Sequence, residues 1–397
     1  MIELFPIIFS FVFMAIVSLI AGVFLKVLNR AWWQIRWVRL VYYLIPIFGG
    51  FSIVLWIIGI QFNNGVIIGI GASGAALTVV IQLGMMLSLP LSWATNKIIA
   101  ILKKVRYELH GPARPNPRRR LLLKSAAAIF PVAAISGGIT GVANSMGSIN
   151  VKRLTFHYHD LPKALDGLKI LQISDIHLGY YVILRDLENL LGKVEPEKPD
   201  LVLVTGDIAD DLTALPYALD MIYSLKPRLG VYASLGNHEY YRGIHEVLEI
   251  FHKSPIPLLV DQGSLIEIED QLVFVGGADD PRWLRRWDNS FLRKTVTKSM
   301  TNAPADSFKI LMSHRPEAFD HASKLNVNLT LSGHTHGGQI GIAGKSVFEG
   351  TLPYKYLWGH YLKANGSQLY TTSGMGHWFP FRLGCPQEAP LITLSRV

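Results

Sequence analysis

Four apolar runs in the first 150 residues, roughly 4–25, 41–61, 66–94 and 121–144, decide how this 397-residue chain is organised. Crossing a bilayer as a helix takes about 20 predominantly apolar residues, and each run is of that order. Lys26, Arg30, Arg36 and Arg39 lie between the first and second runs. Lys97, Lys103, Lys104, Arg106, Arg114 and Arg118 to Arg120 lie between the third and fourth, with Lys124 just beyond. The connection Gln61 to Asn64 carries no charge. Counting basic residues puts both charged loops in the cytoplasm, so the fourth run delivers everything after residue 150 to the other side. The expectation is a multi-pass protein of the cell membrane with an extracytoplasmic catalytic domain. Residues 1–150 form the membrane region with about four transmembrane helices and a short linker at Asn144 to Ser148; residues 151–397 form the second domain.

Charge follows this division. The net charge of +9 belongs to the first part, whose acidic residues are Glu3 and Glu108 alone. Basic residues that flank apolar runs mark topology rather than a phosphate-reading face, and no nucleic-acid partner is expected. Pro90 marks a break in the third run. Trp32, Trp33 and Trp37, mixed with Arg36 and Arg39, fit an interfacial belt. Arg119-Arg120 followed by Leu121 to Lys124 reads either as a positive flank or as a displaced twin-arginine signal; both export the same domain. The spans hold almost no ionisable residue, which disfavours an ion pathway. A single cysteine, Cys385, excludes an intrachain disulfide.

Residues 151–397 change rhythm. Leu168 to Ser174 reads as a buried strand with Asp175 and His177 directly after it, then a helix over 182–194. Asp200 to Thr205 repeats the pattern with Gly206-Asp207 and a helix over 214–225. Gly230 to Leu235 repeats it again with Gly236-Asn237-His238-Glu239 and a helix over 244–253. Strand, polar cluster, helix in succession predicts an α/β sheet with its functional groups at the carboxyl edge. Further on, strands are predicted at 264–269, 272–276, 309–313, 329–332 and 368–373, interrupted by one helix near 316–325. That spacing predicts a second, more antiparallel sheet packed on the first, hence a four-layer α-β-β-α sandwich.

The polar clusters share a chemistry. Asp, His and Asn suit borderline divalent ions, and the lack of thiolates argues against structural zinc; the choice among Mn, Fe, Zn and Mg stays open. Two such ions about 4 Å apart polarise a phosphoryl oxygen and stabilise the attacking and leaving oxygens of an in-line displacement. One carboxylate must bridge them, and Asp207 is the best placed. Five blocks occur in order: Asp175-Ile-His177, Gly206-Asp207, Gly236-Asn237-His238, His314, and Gly333-His334-Thr-His336-Gly-Gly-Gln339.

This order resembles the calcineurin-like metallophosphoesterase superfamily over about residues 168–386. Gly374-Met-Gly376 and Arg382-Leu-Gly-Cys-Pro386 are similar to its membrane-attached branch, which includes bacterial phosphoesterases of the YkuE and YaeI kind. The resemblance implies the sandwich fold and two divalent metal ions. One would take Asp175, His177, Asp207 and His336, the other Asp207, Asn237, His314 and His334. It implies a catalytic His238 that binds a phosphate oxygen or protonates the leaving alkoxide, oriented by Asp210, with Glu239 as a supporting group. The Ser/Thr phosphatase branch carries an arginine shortly after its second motif, where this chain has Ala209, Asp210, Asp211 and Leu212. Phosphoprotein is therefore not the expected substrate, and Arg382 or an arginine of the next segment is the candidate for holding phosphate.

Two functional readings follow. One is a membrane-anchored two-metal phosphohydrolase acting on a phosphomonoester, phosphodiester or pyrophosphate, with a lipid-linked substrate such as a UDP-diacylglucosamine-type pyrophosphate in view. That compound is cytoplasmic, which conflicts with the topology. The other is a membrane sensor or scaffold that binds phosphate without turnover; loss of a ligand would be its signature, and none is lost. Pro281 to Trp287, with Phe291 to Lys294, alternates aromatic and basic residues. It is expected to cap the site or meet a lipid interface, with Trp358, Trp378 and Phe379 adding apolar surface.

Overall fold

The computed structural model describes residues 4–62, 64–111, 117–179, 181–281, 290–351, 355–377 and 379–397. The Pro281 to Trp287 segment falls almost entirely outside them, as does Trp378. Two compact units emerge, Met1–Asn144 with Phe379–Phe381, and Ser145–Trp378 with Arg382–Val397.

The first unit is helical: α1 (Leu4–Val23), a short α2 (Arg30–Trp33), α3 (Arg36–Gln61), α4 (Gly65–His110) and α5 (Pro117–Ser145, which ends one residue into the second unit). Four stretches are long and apolar enough to cross a membrane: Ile8–Leu28, Arg36–Gln61, Gly65–His110 and Ser125–Ser145. The expected break at Pro90 is absent, and α4 runs through it. Beside it Ser92 Oγ donates to Ser88 O at 2.9 Å, and Asn29 Nδ2 donates to Leu89 O at 2.9 Å, which ties this stretch of α4 to the turn before α2. Gly71 sits where the backbone of Trp56 leaves no room for a side chain, so α3 and α4 approach closely through a small residue.

The second unit begins with β1 (Asn150–Tyr158), β2 (Lys169–Ile173), α6 (Leu184–Val194), β3 (Leu201–Thr205), α7 (Leu215–Tyr223), β4 (Val231–Ser234) and α8 (Asn237–Lys253). It continues with β5 (Gln262–Ile268), β6 (Gln271–Gly277), α9 (Ser290–Ser299), β7 (Phe308–Met312), α10 (Phe319–Ala322) and β8 (Leu329–Ser332). The short β9 (Gly341–Ile342) and β10 (Lys345–Ser346) precede β11 (Gly359–Leu362), β12 (Gln368–Thr371) and β13 (Glu388–Arg396). One sheet has the order β1-β13-β2-β3-β4, the other β11-β12-β8-β7-β6-β5.

Alternation along the strands shows why four layers form, since successive side chains point to opposite faces. Val202 and Val204 join Leu187, Leu190, Leu191 and Val194 of α6 in one core. Leu201 and Leu203 join Val273, Val275, Ile310 and Met312 in a second core between the sheets. Phe274 and Leu311 turn outward onto Val296 of α9 and Ala322 of α10. The second sheet departs from the antiparallel expectation: β12, β8, β7 and β6 pair in parallel, and only the outer pairs β11–β12 and β5–β6 are antiparallel. Crossover segments after β6, β7 and β8 return the chain in the same direction, which parallel pairing requires.

Candidate metal centre

Parallel strands leave their carboxyl ends on one edge, and that is where the polar blocks collect. The turn after β2 is zipped to the turn after β3: Asp175 N donates to Gly206 O, His177 N to Asp207 O and Leu178 N to Ile208 O, all at 3.0–3.1 Å. Glu239, at the start of α8 and 1% exposed, braces the same turns. Its carboxylate accepts from Gly236 N at 2.7 Å, Asp207 N at 2.9 Å and Ile208 N at 2.8 Å. The helix expected over 244–253 is the second part of α8, past a break at Gly243 (φ 130°); a first part from Asn237 precedes it, and His238 rides its first turn.

Asp175, His177, Asp207, His334 and His336 all have positive φ, between 48° and 70°. This region costs an L-residue about 1–2 kcal/mol. Five such residues at one edge point to a local purpose rather than to chance. Gly333 is needed beside them, because a Cβ there would collide with the Asp175 carboxylate.

Three overlapping groups bring donor atoms within 4.8 Å of one another: Asp175, His177 and His336; His177, Asp207 and His238; Asp207, His314 and His334. Nε2 of His177 faces Nε2 of His336 at 3.2 Å, two ring nitrogens aimed at one point. His314 Nδ1 donates to Thr205 O at 2.9 Å, which turns Nε2 to Asp207 Oδ2 at 3.1 Å. Asn237 is buried, and its Oδ1 has no hydrogen-bond partner among the described residues. These are marks of a cage built for cations rather than for internal hydrogen bonds. Cys385 belongs to none of the three groups; it is buried with Sγ donating to His336 O at 3.4 Å, and burial raises its thiol to about 11.

Electrostatics support that fit. Burial, with Arg315 next, holds His334 well below the ordinary histidine range; burial, with Arg382 next, does the same for His336. Both stay neutral, the form a metal ligand needs. Burial works against the charge on Asp207, but His314 and its other histidine neighbours override it and hold the carboxylate ionised. His314 rises to about 10, since the Asp207 carboxylate outweighs burial. A cation entering between them would displace that proton.

Asp210 accepts from both sides. Its Oδ1 meets His238 Nδ1 at 2.6 Å and its Oδ2 lies 3.4 Å from His177 Nδ1. Hydrogen bonds from His177 and His238 overcome burial and hold its carboxyl far below the usual range. Arg242 Nε adds a third contact at 3.1 Å.

Arg382 does not face a substrate. It is fully buried, donates to Ser373 O at 2.7 Å and Gly376 O, and approaches His336 Nδ1 at 3.2 Å. Its place is behind His336, where the loop following β12 needs its carbonyls bound. Trp358, expected at an apolar surface, is buried with Nε1 donating to Glu388 at 3.0 Å.

Two residues escaped the motif reading. Arg315 donates through Nε to Asp280 Oδ2 at 2.8 Å and places NH1 2.7 Å from His334 Nε2. Its position directly after His314 was the available signal. His377 is buried, has its ring tilted 36° to that of Tyr181 at 5.3 Å, and is lowered to about 3 by burial and Arg382; no sequence spacing pointed to it.

Comparison with known proteins places this geometry. The calcineurin-like phosphoesterase family profile matches residues 168–338. An uncharacterized metallophosphoesterase of Aquifex aeolicus (strain VF5) is 33% identical over 254 residues, 62% of this chain and 92% of its own length. A transmembrane protein with metallophosphoesterase domain from Danio rerio is 29% identical over 311 residues, 76% of this chain and 68% of its own. The uncharacterized metallophosphoesterase YkuE of Bacillus subtilis (strain 168) is 29% identical over 299 residues, 70% and 97% respectively. The family profile lies over every clustered donor from Asp175 to His336, and the Aquifex relative is covered almost end to end at one residue in three. On those grounds the chain belongs to the calcineurin-like phosphoesterases, metal-dependent hydrolases of phosphoric esters.

Proposed function

We propose that the protein is a membrane-anchored phosphohydrolase with two divalent ions, one held by Asp175, His177, Asp207 and His336, the other by Asp207, Asn237, His314 and His334. The observation that carries this is the convergence of donor atoms on both sides of Asp207, above all His177 Nε2 facing His336 Nε2 at 3.2 Å. Ions bound there would supply Lewis acidity to a phosphoryl oxygen and generate a nucleophile from water near neutral pH. The residues do the rest. Asp207 sits between the two groups; His238, half-buried beside them, delivers a proton to the leaving oxygen; Asp210 fixes the ring of His238 and that of His177.

The substrate we favour is a phosphate ester or pyrophosphate carried on a lipid and met on the extracytoplasmic side, because a tethered enzyme searches the membrane plane. A binding-only sensor is the weaker reading, since no expected donor is lost from the sequence and six of the seven fall in the groups around Asp207.

The test is hydrolysis of bis-p-nitrophenyl phosphate and p-nitrophenyl phosphate by the full-length protein in detergent with Mn²⁺, beside Asp207→Asn. Metal-dependent turnover that falls at least about a thousandfold in the variant is expected. Stoichiometric metal in the wild type without turnover of either ester would transfer the weight to the sensor.

A further inference from the structure

The helical unit encloses a cavity of about 380 Å³, bounded by all four long helices and by the turn between the first two. Its walls are aliphatic and aromatic, with Leu25, Val41, Met85, Leu89 and Val132 among them. On α3 the lining residues run from Trp37 to Pro46, about 14 Å of helix at 1.5 Å per residue. That is close to half of a hydrocarbon core about 30 Å thick. The cavity is one leaflet deep.

Two features distinguish it from a gap that any bilayer chain would fill. The first is Gln82, 4% exposed and on the wall. Its Nε2 donates to Ser18 Oγ at 2.7 Å, while Oε1 has no hydrogen-bond partner among the described residues. The neighbouring hydroxyl of Tyr42 is already committed to Ser18 O at 3.1 Å. An acceptor buried at membrane depth has no water to turn to, and leaving it unpaired costs about 1–3 kcal/mol. A plain alkyl chain would leave that cost in place; a chain with a hydroxyl or amide donor would remove it.

The second feature is the rim. Trp32, Ile35 and Trp37 line the cavity where the turn lies, and Trp37 is 71% exposed. The same stretch exposes Lys26, Arg30, Arg36 and Arg39, with Lys26 over the Trp33 ring at 4.9 Å. No Asp or Glu occurs between residues 4 and 62. Tryptophan with unopposed cations fits an anionic head group at the membrane surface.

We propose that this cavity is a binding site for one anionic lipid whose chain carries a hydrogen-bond donor to Gln82 and whose head group meets Lys26, Arg30, Arg36 and Arg39. The inference rests on these helices lying in a bilayer and is independent of the metal centre. It gives the helical unit a ligand of its own.

Native mass spectrometry of the full-length protein extracted from membranes in mild detergent tests it, together with binding of a mid-chain hydroxystearate against stearate. One retained lipid per chain is expected, lost in Ala128→Phe and in Ala21→Phe, which fill the cavity from different helices. Hydroxystearate should bind about tenfold more tightly than stearate, the worth of one buried hydrogen bond, and Gln82→Leu should abolish that preference. Membrane-extracted wild type without bound lipid, equal retention in a correctly folded filled variant, or no preference for the hydroxylated probe would overturn the proposal. Protein absent from the membrane fraction would instead refute the bilayer placement of the helices on which it rests.

Discussion

Asp210 shows how much one carboxylate can organise. It holds His238 at 2.6 Å and stands 3.4 Å from His177, so it joins the proposed proton donor to the candidate metal cage. Asp210→Asn should lower kcat about a hundredfold with little change in KM, measured on p-nitrophenyl esters at saturating Mn²⁺. Because its folded pKa is depressed, the stability it contributes is present above about pH 4 and fades as pH falls toward the folded value. The difference in melting temperature between wild type and variant should therefore shrink on acidification from pH 6 to pH 3, read by thermal denaturation. Arg315 is the residue whose role the sequence concealed. It is a cation held by Asp280 beside a cage built for further cations, an arrangement that an incoming phosphate would balance. Arg315→Met should raise KM and the inhibition constant of orthovanadate by at least about tenfold while metal content stays unchanged. Loss of metal instead would make Arg315 a support for His334.

At the scale of elements, the site is a set of turns rather than a set of strands. Every donor sits just past a strand, or in the first turn of α8, on backbone that the sheet edges clamp. Five of them hold positive φ at a cost of about 1–2 kcal/mol each, and bound metal is the natural compensation. Chelation should lower the melting temperature of the second unit by several degrees or more, and Mn²⁺ should restore it, followed by calorimetry. These same turns explain what could be read from the residues alone. Strands β2, β3 and β4 were legible because each is a largely apolar run closed by a small residue and Asp or Asn, Ser174-Asp175, Gly206-Asp207 and Gly236-Asn237. The part of α8 before Gly243 was not, because Asn237 to Tyr241 carries no apolar period, and that turn is fixed instead by Glu239 reaching back to Gly236. The parallel centre of the second sheet was equally hidden. Short apolar strands read the same in either direction, and only the tertiary crossovers decide it. Arg382 was misread for a related reason: a motif gives an order of residues but not the side of a histidine on which an arginine stands.

For the whole molecule, the first and last strands of the second unit lie side by side. β1 pairs in parallel with β13 over nine residues, and β13 also pairs with β2, so Glu388–Arg396 occupies an interior position of the first sheet. Leu391, Ile392 and Leu394 bury their side chains in the two cores that this sheet divides. Deleting residues 388–397 should leave the second unit unfolded while the apolar helices still direct the chain to membranes, a split read by protease sensitivity against fractionation. Consider the same arrangement during synthesis. The ribosome releases the chain from its amino end, so the membrane segments and the aspartates of β2 and β3 emerge long before Glu388. Until β13 leaves the exit tunnel, β2 lacks its partner on one side and the sheet cannot close. Maturation therefore waits on β13: a polypeptide interrupted anywhere upstream of it carries the turns of the metal centre on an unfinished sheet.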